Sequence, residues 1–387
     1  MAARAPLTIV GTGHAGYTLA REIRKLDADR PLTLFSADDG RSYYKPNLSK
    51  ALAMGKPPAE LVQAEAAAMA ETLAATVLAG HRVDSIDPVA GTLRHDGSEH
   101  AWEQLVLATG AEPVRLPLDG DAAADVLSIN SLADYQRFRE RLHDGARVLL
   151  IGAGLIGCEF ANDLAGQGHP VSLVDLADWP LPALVPEAVG RALQQGLGNL
   201  GVDWHLGRSV RSVNRDGAGF AATLDDGRTV SAELVVSAVG LRPNTALAEA
   251  AGLACRNGIV VDARLRSSAE RIHALGDCAE FHGRVLPFIL PIAHGARALA
   301  RTLTGEPTEA AFPVMPVMVK TPACPVIVCP PPPGVDGTWV LDGDGPDLAA
   351  EFRDPGGSPL GFALCGAATR RRGEFAGRVP PLHTPGA

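Results

Sequence analysis

The sequence predicts an α/β protein with two Rossmann-like dinucleotide-binding domains and a small α+β domain at its C-terminal end. A strand, a glycine-rich turn, a helix and a second strand follow one another at residues 7–35, and the same order recurs at 147–174. After residue 313 the pattern changes to short apolar runs separated by proline and glycine. We expect a discontinuous first domain of 1–112 and 246–312, a second domain of 113–245 and a third of 313–387.

The first glycine-rich turn follows the apolar run at 7–10 and precedes a helical pattern. Gly11, Gly13 and Gly16 have the GxGxxG spacing, which permits a tight turn and the close approach of a pyrophosphate to backbone N–H groups. We therefore expect this turn to hold the phosphates of a dinucleotide, with Thr12 and His14 beside them.

The residue that usually holds the ribose differs from the common pattern in this first unit. An acidic residue normally ends the second strand, but Ser36 and Ala37 stand there and the acids come later, at Asp38 and Asp39. Either Ser36 or a shifted aspartate is then expected to hold the ribose.

The second glycine-rich turn keeps the usual acid. Gly152, Gly154 and Gly157 follow the run at 147–151, and Asp175 lies 21 residues beyond Gly154 at the end of the next strand. A carboxylate there accepts hydrogen bonds from both ribose hydroxyls and repels a 2′-phosphate. Since no arginine follows Asp175 directly, the sequence favours NADH over NADPH.

Further apolar runs complete both units. The runs at 105–110 and 234–240 are predicted to close them, each after a β-rich insertion, and a helix is predicted over 291–304.

Composition and charge exclude several classes of function. Hydrophobic residues make up 46% of the 387 residues, as in ordinary globular proteins. The net charge of −9 argues against a nucleic-acid partner, and no apolar run is long enough to span a membrane. Because the first strand begins almost at once and six cysteines are scattered, we expect no secretory signal and a cytoplasmic protein with reduced thiols. We expect no metal centre.

Together with the two turns, the segments LVLATGA (105–111), ELVVSAVGLRPNT (233–245) and IHALGDCAE (272–280) resemble signatures of the two-dinucleotide-binding flavoproteins. The resemblance implies FAD on the first unit and NAD(H) on the second. It implies that Asp277 binds the ribityl and phosphate part of FAD. It further implies FAD contacts from Gly11, Thr12, Gly13, His14, Gly16, Ser36, Ala37, Lys45, Val83, Thr109, Gly110, Glu159, Asp277, Leu290 and Lys320, and NAD contacts from Gly152, Gly154, Leu155, Ile156, Gly157, Asp175 and Gly240.

The chain lacks the redox cysteines of the disulfide reductases in this superfamily. The segment SYYKPNLSK stands where such a pair would lie. Cys324 and Cys329 have the CxxxxC spacing, but they flank a predicted strand and would be too far apart for a disulfide. We interpret them as structural residues.

Lys45, in KPNLS, replaces the thiols at this place. The segment resembles flavin reductases in which a lysine near flavin N5 pairs with a glutamate on the helix of the NAD unit, and the matching glutamate is Glu159. Such a cation would stabilise negative charge that develops on the flavin. Lys45 and Glu159 are therefore expected to tune the flavin.

The resemblance narrows further to the rubredoxin–NAD reductases of hydrocarbon-using bacteria, and it spans nearly the whole chain, including VKTP at 319–322. It implies hydride transfer from NADH to FAD and single-electron transfer to rubredoxin, a small iron protein, in support of alkane hydroxylation. A basic run at 370–372 is a candidate surface for steering that partner.

Two alternatives stay open at this point. One is another enzyme of the superfamily, an NADH-dependent ferredoxin reductase or an NADH oxidase. The other is a flavoprotein that binds NADH as a sensor or scaffold.

Overall fold

Two parallel β-sheets form the centres of the two larger domains in the computed structural model, which describes residues 5–386. Met1–Arg4 and Ala387, at the outer ends of the first and third predicted domains, lie outside the described residues. The strands of the first sheet are, in spatial order, Ile272–Ala274, Gln104–Leu107, Leu7–Val10, Leu32–Ser36 and Thr76–Ala79. Those of the second are Asp203–Leu206, Val171–Asp175, Val148–Ile151 and Leu234–Ser237.

The first sheet combines strands that lie far apart in the sequence. Leu7–Val10 pairs in parallel with both Leu32–Ser36 and Gln104–Leu107. Ile272–Ala274 then pairs with Gln104–Leu107, so the chain leaves this domain and returns to it. Both faces are covered, and the central strand is fully apolar or hydroxyl-bearing and buried.

Helices cover these sheets. Two of them begin directly after the glycine-rich turns, as the sequence predicts, and the helix predicted over 291–304 begins two residues earlier. The α-helices are His14–Leu26, Ala66–Thr72, Leu132–Arg141, Leu155–Gly166, Glu187–Gly198, Ala246–Ala250, Ile289–Leu303 and Arg372–Ala376, and the 3₁₀ helices are Lys45–Lys50, Pro58–Leu61, Ala123–Asp125 and Gly366–Arg371.

Small antiparallel sheets are inserted into both larger domains, in agreement with the β-rich insertions predicted from sequence. The strands Ser85–Asp87, Thr92–His95 and Ser98–Ala101 form one, and Val210–Asp216, Gly219–Leu224 and Thr229–Ala232 form the other. The remaining small sheets pair Ser42–Tyr43 with Val62–Ala64, Ala111–Pro113 with Leu241–Pro243, and Ala279–Phe281 with Ile259–Val261 and Arg284–Val285.

The third domain is a five-stranded antiparallel sheet followed by short helices. Its strands, in spatial order, are Val317–Val319, Val326–Cys329, Pro359–Cys365, Ala349–Arg353 and Thr338–Asp342.

The third domain packs against the second without a gap. Val326 and Cys365 belong to the same buried apolar cluster as Val148 and Leu173 of the second sheet. A Cβ at Gly196 would lie only 2.6 Å from Cβ of Cys324, so glycine is needed for this close approach. No helix formed by residues 5–386 is both long and apolar enough to cross a lipid bilayer.

Candidate active site

The first glycine-rich turn forms an open cradle at a helix N-terminus. A Cβ at Gly11, whose φ is 116°, would lie 2.1 Å from the carbonyl oxygen of Ala108, and one at Gly16 would lie 1.9 Å from that of Gly11. At Gly13, by contrast, no described atom lies within 4 Å of the Cβ position. The helix His14–Leu26 begins with no hydrogen bond from a capping side chain of the described residues. Its first N–H groups therefore face the space in front of Gly13, where they can bind an anion.

The Ser36 hydroxyl forms hydrogen bonds with two side chains at this turn. It lies 2.5 Å from Oγ1 of Thr12 and donates to the Asp38 carboxylate. Asp38 also accepts a hydrogen bond from the backbone N–H of Gly40, at 3.1 Å. Ser36 is buried, whereas Asp38 and Asp39 are exposed, so the shifted aspartates are more accessible to a ribose than Ser36.

The second glycine-rich turn repeats this geometry. A Cβ at Gly152, with φ of 108°, would lie 2.7 Å from the carbonyl oxygen of Ala238, while no described atom lies within 4 Å of one at Gly154. Leu155–Gly166 also begins without a side-chain cap among the described residues. Gly157 packs against Gly152 as Gly16 packs against Gly11.

Asp175 faces this second turn from the end of its strand. Its carboxylate accepts hydrogen bonds from the backbone N–H groups of Ala153, at 2.5 Å, and Ala177, at 2.7 Å. A carboxylate has about four acceptor positions, so both oxygens can still accept from ribose hydroxyls. The side chain of Ile156 is 40% exposed at the mouth of the turn, beside half-buried Leu155, and Gly240 has a φ of 112° in open space.

Lys45 and Asp277 come together from distant parts of the first domain. Lys45 Nζ donates to Oδ1 of Asn130 at 2.6 Å, and Asn130 in turn donates to the carbonyl oxygen of Ala111 at 2.8 Å. Burial lowers the pKa of Lys45, and the Asp277 carboxylate acts in the opposite direction. Burial likewise raises the pKa of Asp277, and Lys45 opposes that change. The two charges therefore stabilise each other in a partly desolvated place.

Asp277 also lies close to the first glycine-rich turn. A Cβ at the preceding residue, Gly276, would lie 2.8 Å from Cβ of Ala15, in the first turn of the helix His14–Leu26. The helix Ile289–Leu303 packs against the same helix and begins without a side-chain cap from any residue in 5–386, with Leu290 46% exposed at its start. Both helix N-termini can thus offer N–H groups near Asp277.

The pairing expected between Lys45 and Glu159 is wrong in this structure. Glu159 is fully buried and accepts hydrogen bonds from Ser49 Oγ at 2.5 Å and from the backbone N–H of Lys320 at 2.9 Å. Its charge partner is the Lys320 ammonium group. The physical reason is proximity. Lys320 comes from the third domain directly onto the helix Leu155–Gly166, while Lys45 is bonded to Asn130.

The same helix face carries two further polar residues that sequence reasoning missed. Asn162 accepts a hydrogen bond from the backbone N–H of Ala323 at 3.1 Å. Asp163 accepts from those of Leu52, at 3.1 Å, and Ala53, at 2.9 Å. Burial raises the pKa of Asp163 to about 6, although these two hydrogen bonds lower it. The signal was present in the sequence, since Glu159, Asn162 and Asp163 have i, i+3, i+4 spacing on an otherwise apolar helix.

Two crossing segments between the larger domains are fastened to each other. Thr109 Oγ1 donates to the carbonyl oxygen of Asn244 at 2.9 Å, and the Asn244 amide donates to that of Thr109 at 2.7 Å. Gly110, with φ of 67°, accepts from the N–H of Asn244 at 2.9 Å. The strands Ala111–Pro113 and Leu241–Pro243 then pair antiparallel. These hydrogen bonds, which we call the Thr109–Asn244 lock, fasten the two segments that connect the domains carrying the two glycine-rich turns.

Some expected contacts stand apart from this constellation. Val83 is buried in the apolar core of the first domain. Within the basic run at 370–372, Arg371 is paired with Asp342 at 2.7 Å and with Glu374 at 2.9 Å, while Arg370 and Arg372 are exposed. Cys324 lies beside Cys365 and not beside Cys329, and Cys365 and burial together raise the pKa of the Cys324 thiol.

Residues 5–300 match the family described as pyridine nucleotide-disulphide oxidoreductase. The chain belongs to this family. Residues 309–379 of this oxidoreductase match a second family, described as rubredoxin binding C-terminal domain. The resemblance drawn from the sequence motifs is therefore confirmed.

Curated relatives and solved structures agree with this placement of the oxidoreductase. It is 44% identical to the rubredoxin-NAD(+) reductase of Alcanivorax borkumensis, over 97% of this chain and 99% of that one. It is 41% identical to the nitric oxide reductase FlRd-NAD(+) reductase of Aeromonas hydrophila, over 93% and 92% of the two chains. Among solved structures, a ferredoxin reductase of Rhodopseudomonas palustris superposes with a TM-score of 0.87 at 28% identity, covering 97% of this chain and 96% of its own.

FAD is the cofactor of this family, and NAD(H) is its substrate. The described residues fit FAD. The open space at Gly13, the uncapped N-termini and the buried Asp277 carboxylate supply the donors and acceptors that a dinucleotide needs. Gly154 and Asp175 fit the nicotinamide nucleotide in the same way.

Proposed function

We propose that this chain is an FAD-dependent NADH:rubredoxin oxidoreductase. The single observation that carries the proposal is the third domain. It matches a rubredoxin-binding domain over 309–379, and its residue Lys320 forms an ion pair with Glu159 on the helix behind the nucleotide turn. This contact joins the domain that would receive the partner to the domain that would bind NADH.

The protein's own residues bind and orient under this proposal. Bound FAD supplies the conversion between a two-electron hydride donor and a one-electron iron acceptor. The first glycine-rich turn and Asp277 hold the FAD phosphates and ribityl chain, and Asp38 holds the ribose. Gly152, Gly154 and Asp175 would hold NADH, and the hydrogen bonds between Thr109 and Asn244 fasten the two segments that cross between the nucleotide-binding domains.

Lys45 has an electrostatic role in this proposal. Its Nζ donates a hydrogen bond to Asn130, and the carboxylates of Asp277 and Asp134 oppose the lowering of its pKa by burial. A positive charge held in this way stabilises negative charge that develops on the isoalloxazine ring. No described side chain is required to act as a nucleophile or a general acid.

Two similar proteins suggest electron acceptors other than rubredoxin. A ferredoxin reductase is the structural neighbour at 28% identity, and the Aeromonas relatives are named for a different carrier, FlRd. We favour rubredoxin because the relative with 44% identity is named for it over nearly the whole length of both chains. An NADH oxidase or a nucleotide sensor does not require a third domain that matches a rubredoxin-binding family.

Stopped-flow mixing of the NADH-reduced holoenzyme with oxidised carriers tests the proposal. We expect rubredoxin to be reduced faster than a [2Fe–2S] ferredoxin by at least about tenfold, which corresponds to about 1.4 kcal/mol in the barrier. Faster reduction of ferredoxin would overturn the choice of acceptor. Slow reduction of every carrier, with a long-lived reduced enzyme, would favour the sensor.

We also propose a cytoplasmic location and a role in supplying electrons for alkane hydroxylation. The six cysteines are free thiols, four of them buried, as in proteins of reducing compartments. The relative from Alcanivorax borkumensis supports the second point by its name, which makes rubredoxin its electron acceptor.

A further inference from the structure

His81, His95 and Asp96 form a cluster in the first domain that the proposed reaction does not use. Nδ1 of His81 lies 2.6 Å from Oδ2 of Asp96, and Nδ1 of His95 lies 3.7 Å from the same oxygen. One possible ligand atom from each residue lies within 4.8 Å of the other two. The imidazole rings of the two histidines contact each other edge to face, with centroids 5.3 Å apart.

The fold holds these residues from two separate segments. His81 follows the strand Thr76–Ala79 of the parallel sheet, while His95 ends a strand of the inserted antiparallel sheet. Asp96 and Gly97 form the two-residue hairpin turn, with φ values of 47° and 75°. Both are positive, as a tight hairpin turn of this kind requires. The turn fixes the Asp96 carboxylate next to His95.

Burial gives the cluster an inner and an outer side. The His95 ring packs on the buried Phe35 ring, with centroids 4.9 Å apart, and its side chain is 14% exposed. Its Nδ1 atom is buried and has no hydrogen-bond partner in residues 5–386. His81 and Asp96 are 40% and 60% exposed. A ligand arriving from solvent through His81 and Asp96 would therefore meet an inner nitrogen that still needs a partner.

We propose that His81, His95 and Asp96 bind one divalent transition-metal ion such as Zn²⁺ or Ni²⁺. Two imidazole nitrogens and one carboxylate oxygen suit these ions, whereas Mg²⁺ and Ca²⁺ prefer all-oxygen sites. Ligand atoms around tetrahedral Zn²⁺ lie about 3.4 Å apart, so the widest pair must approach by up to about 1.4 Å and the His81–Asp96 pair must open by about 0.8 Å. Rotation of the exposed His81 ring supplies this movement, and water completes the coordination.

The metal would fasten the inserted sheet to the parallel sheet. It would join the segment after Thr76–Ala79 to the hairpin tip, directly over Phe35. Phe35 precedes Ser36, which belongs to the Thr12–Asp38 network of the first glycine-rich turn. The sequence carries no recognisable signal of this site, because His81 lies 14 residues from His95 with no short ligand motif between them.

Isothermal titration of the untagged, chelator-treated holoenzyme with ZnCl₂ and with NiCl₂ tests the site. We expect saturable binding of one ion per chain, undiminished by excess MgCl₂. His81→Ala and Asp96→Asn should each weaken the affinity by at least about tenfold, and His95→Ala should do so as well. The matched control is His143→Ala, because His143 is also exposed and lies 3.5 Å from a carboxylate, that of Glu233. It should leave the affinity unchanged.

Three results would overturn the proposal. They are the absence of saturable binding, unchanged affinity in both His81→Ala and Asp96→Asn, and an equal loss in His143→Ala. Since His95 packs on Phe35, the fold of His95→Ala is checked by its FAD absorbance and its melting temperature without metal. The exposed His81 and Asp96 variants decide the outcome if His95→Ala does not fold.

Discussion

Lys45 holds a positive charge where water is only partly available. Burial lowers its pKa, and the nearby carboxylates of Asp277 and Asp134 oppose that change. Its Nζ also donates a hydrogen bond to Asn130 at 2.6 Å. A positive charge in this partly buried position stabilises an anionic ring more strongly than the same charge in bulk water, because its surroundings screen it less.

Lys45→Ala is therefore expected to lower the midpoint potential of bound FAD. Each tenfold loss of preference for the reduced ring corresponds to about 30 mV for a two-electron couple. Spectroelectrochemical titration measures the shift, and Lys25→Gln, at a lysine 65% exposed on the helix His14–Leu26, is the control. An unchanged potential in Lys45→Ala would remove Lys45 from the tuning of the flavin.

Glu159 joins three parts of the chain at one carboxylate. It binds Ser49 of the first domain and both the backbone and the ammonium group of Lys320 in the third, and it lies on a helix of the second. A buried ion pair contributes little against an apolar replacement, but removing one partner leaves the other charge uncompensated.

Glu159→Gln should therefore destabilise the folded chain by about 3 kcal/mol, at the lower end of the usual range because Lys320 is 23% exposed. Thermal unfolding of the FAD-loaded protein measures this loss. Glu65→Gln is the control, since Glu65 pairs with Arg41 at 3.0 Å on the surface, where ion pairs contribute little. Equal melting temperatures for Glu159→Gln and the parent would contradict the role of this junction.

The helix Leu155–Gly166 connects the second domain to the first and third domains. Its N-terminus offers N–H groups to a nucleotide, and its face with Glu159, Asn162 and Asp163 binds backbone of the first and third domains. The sequence shows the polar residues at this spacing but cannot name their partners, because those lie more than 100 residues away along the chain.

Asp163 makes the stability of this contact between domains depend on pH. Its pKa is about 6 in the folded chain against an ordinary value of 3.8, so the folded state binds more protons between these values. The contribution of Asp163 to stability is thus largest below about pH 4, falls as the pH rises through 6, and is constant above. As the pH rises from about 4 to about 6, the melting temperature of the parent should fall relative to that of Asp163→Asn, so that the two values converge or cross. Asp216→Asn, at an exposed residue, is the control and should differ from the parent by the same amount throughout. A constant offset for Asp163→Asn as well would contradict this interpretation.

We propose that the second glycine-rich turn and the strand that ends at Asp175 together set the preference for NADH over NADPH. Asp175 is held in place by the N–H groups of Ala153 and Ala177, so its negative charge faces the ribose position. Asp175→Asn should lower the ratio of kcat/KM for NADH to that for NADPH by about tenfold, because the repulsion of a 2′-phosphate disappears. Steady-state kinetics with both nucleotides measure the ratio. Asp178→Asn, three residues later and exposed, should leave it unchanged, and an unaltered ratio in Asp175→Asn would exclude this role.

At the scale of the whole molecule, the sequence predicts those parts of the structure that depend on neighbouring residues. Both glycine-rich turns, the strands around them and the helix near 291–304 could be predicted, since φ, burial and periodicity are local properties. The predicted domain boundaries stay a prediction, although the first sheet contains strands from both 7–107 and 272–274. Tertiary partners could not be predicted. Lys320 for Glu159 and Asn130 for Lys45 depend on how distant segments pack.

The two cysteines with CxxxxC spacing illustrate the same limit. Cys329 ends the strand Val326–Cys329, whereas Cys324 precedes it and lies beside Cys365 from a different strand. The neighbouring thiol and burial raise the pKa of Cys324, so it is a poor nucleophile near neutral pH. The Cys324 side chain packs on Gly196 and holds the third domain against the second.

Electron transfer from NADH to rubredoxin should accordingly survive the removal of either thiol. We expect Cys324→Ala and Cys329→Ala to retain turnover within about twofold of the parent, since a twofold change is well under 1 kcal/mol in the barrier. Cys324→Ala should lower the melting temperature, because removal of the buried Sγ atom opens a small cavity beside Cys365, and Cys329→Ala should lower it less. Anaerobic oxidation of NADH with rubredoxin as acceptor measures turnover, and the FAD content of each variant is the control. A loss of turnover by tenfold or more in a fully FAD-loaded variant would place a thiol between the nicotinamide and the iron carrier, and the direct route proposed for this molecule would then be wrong.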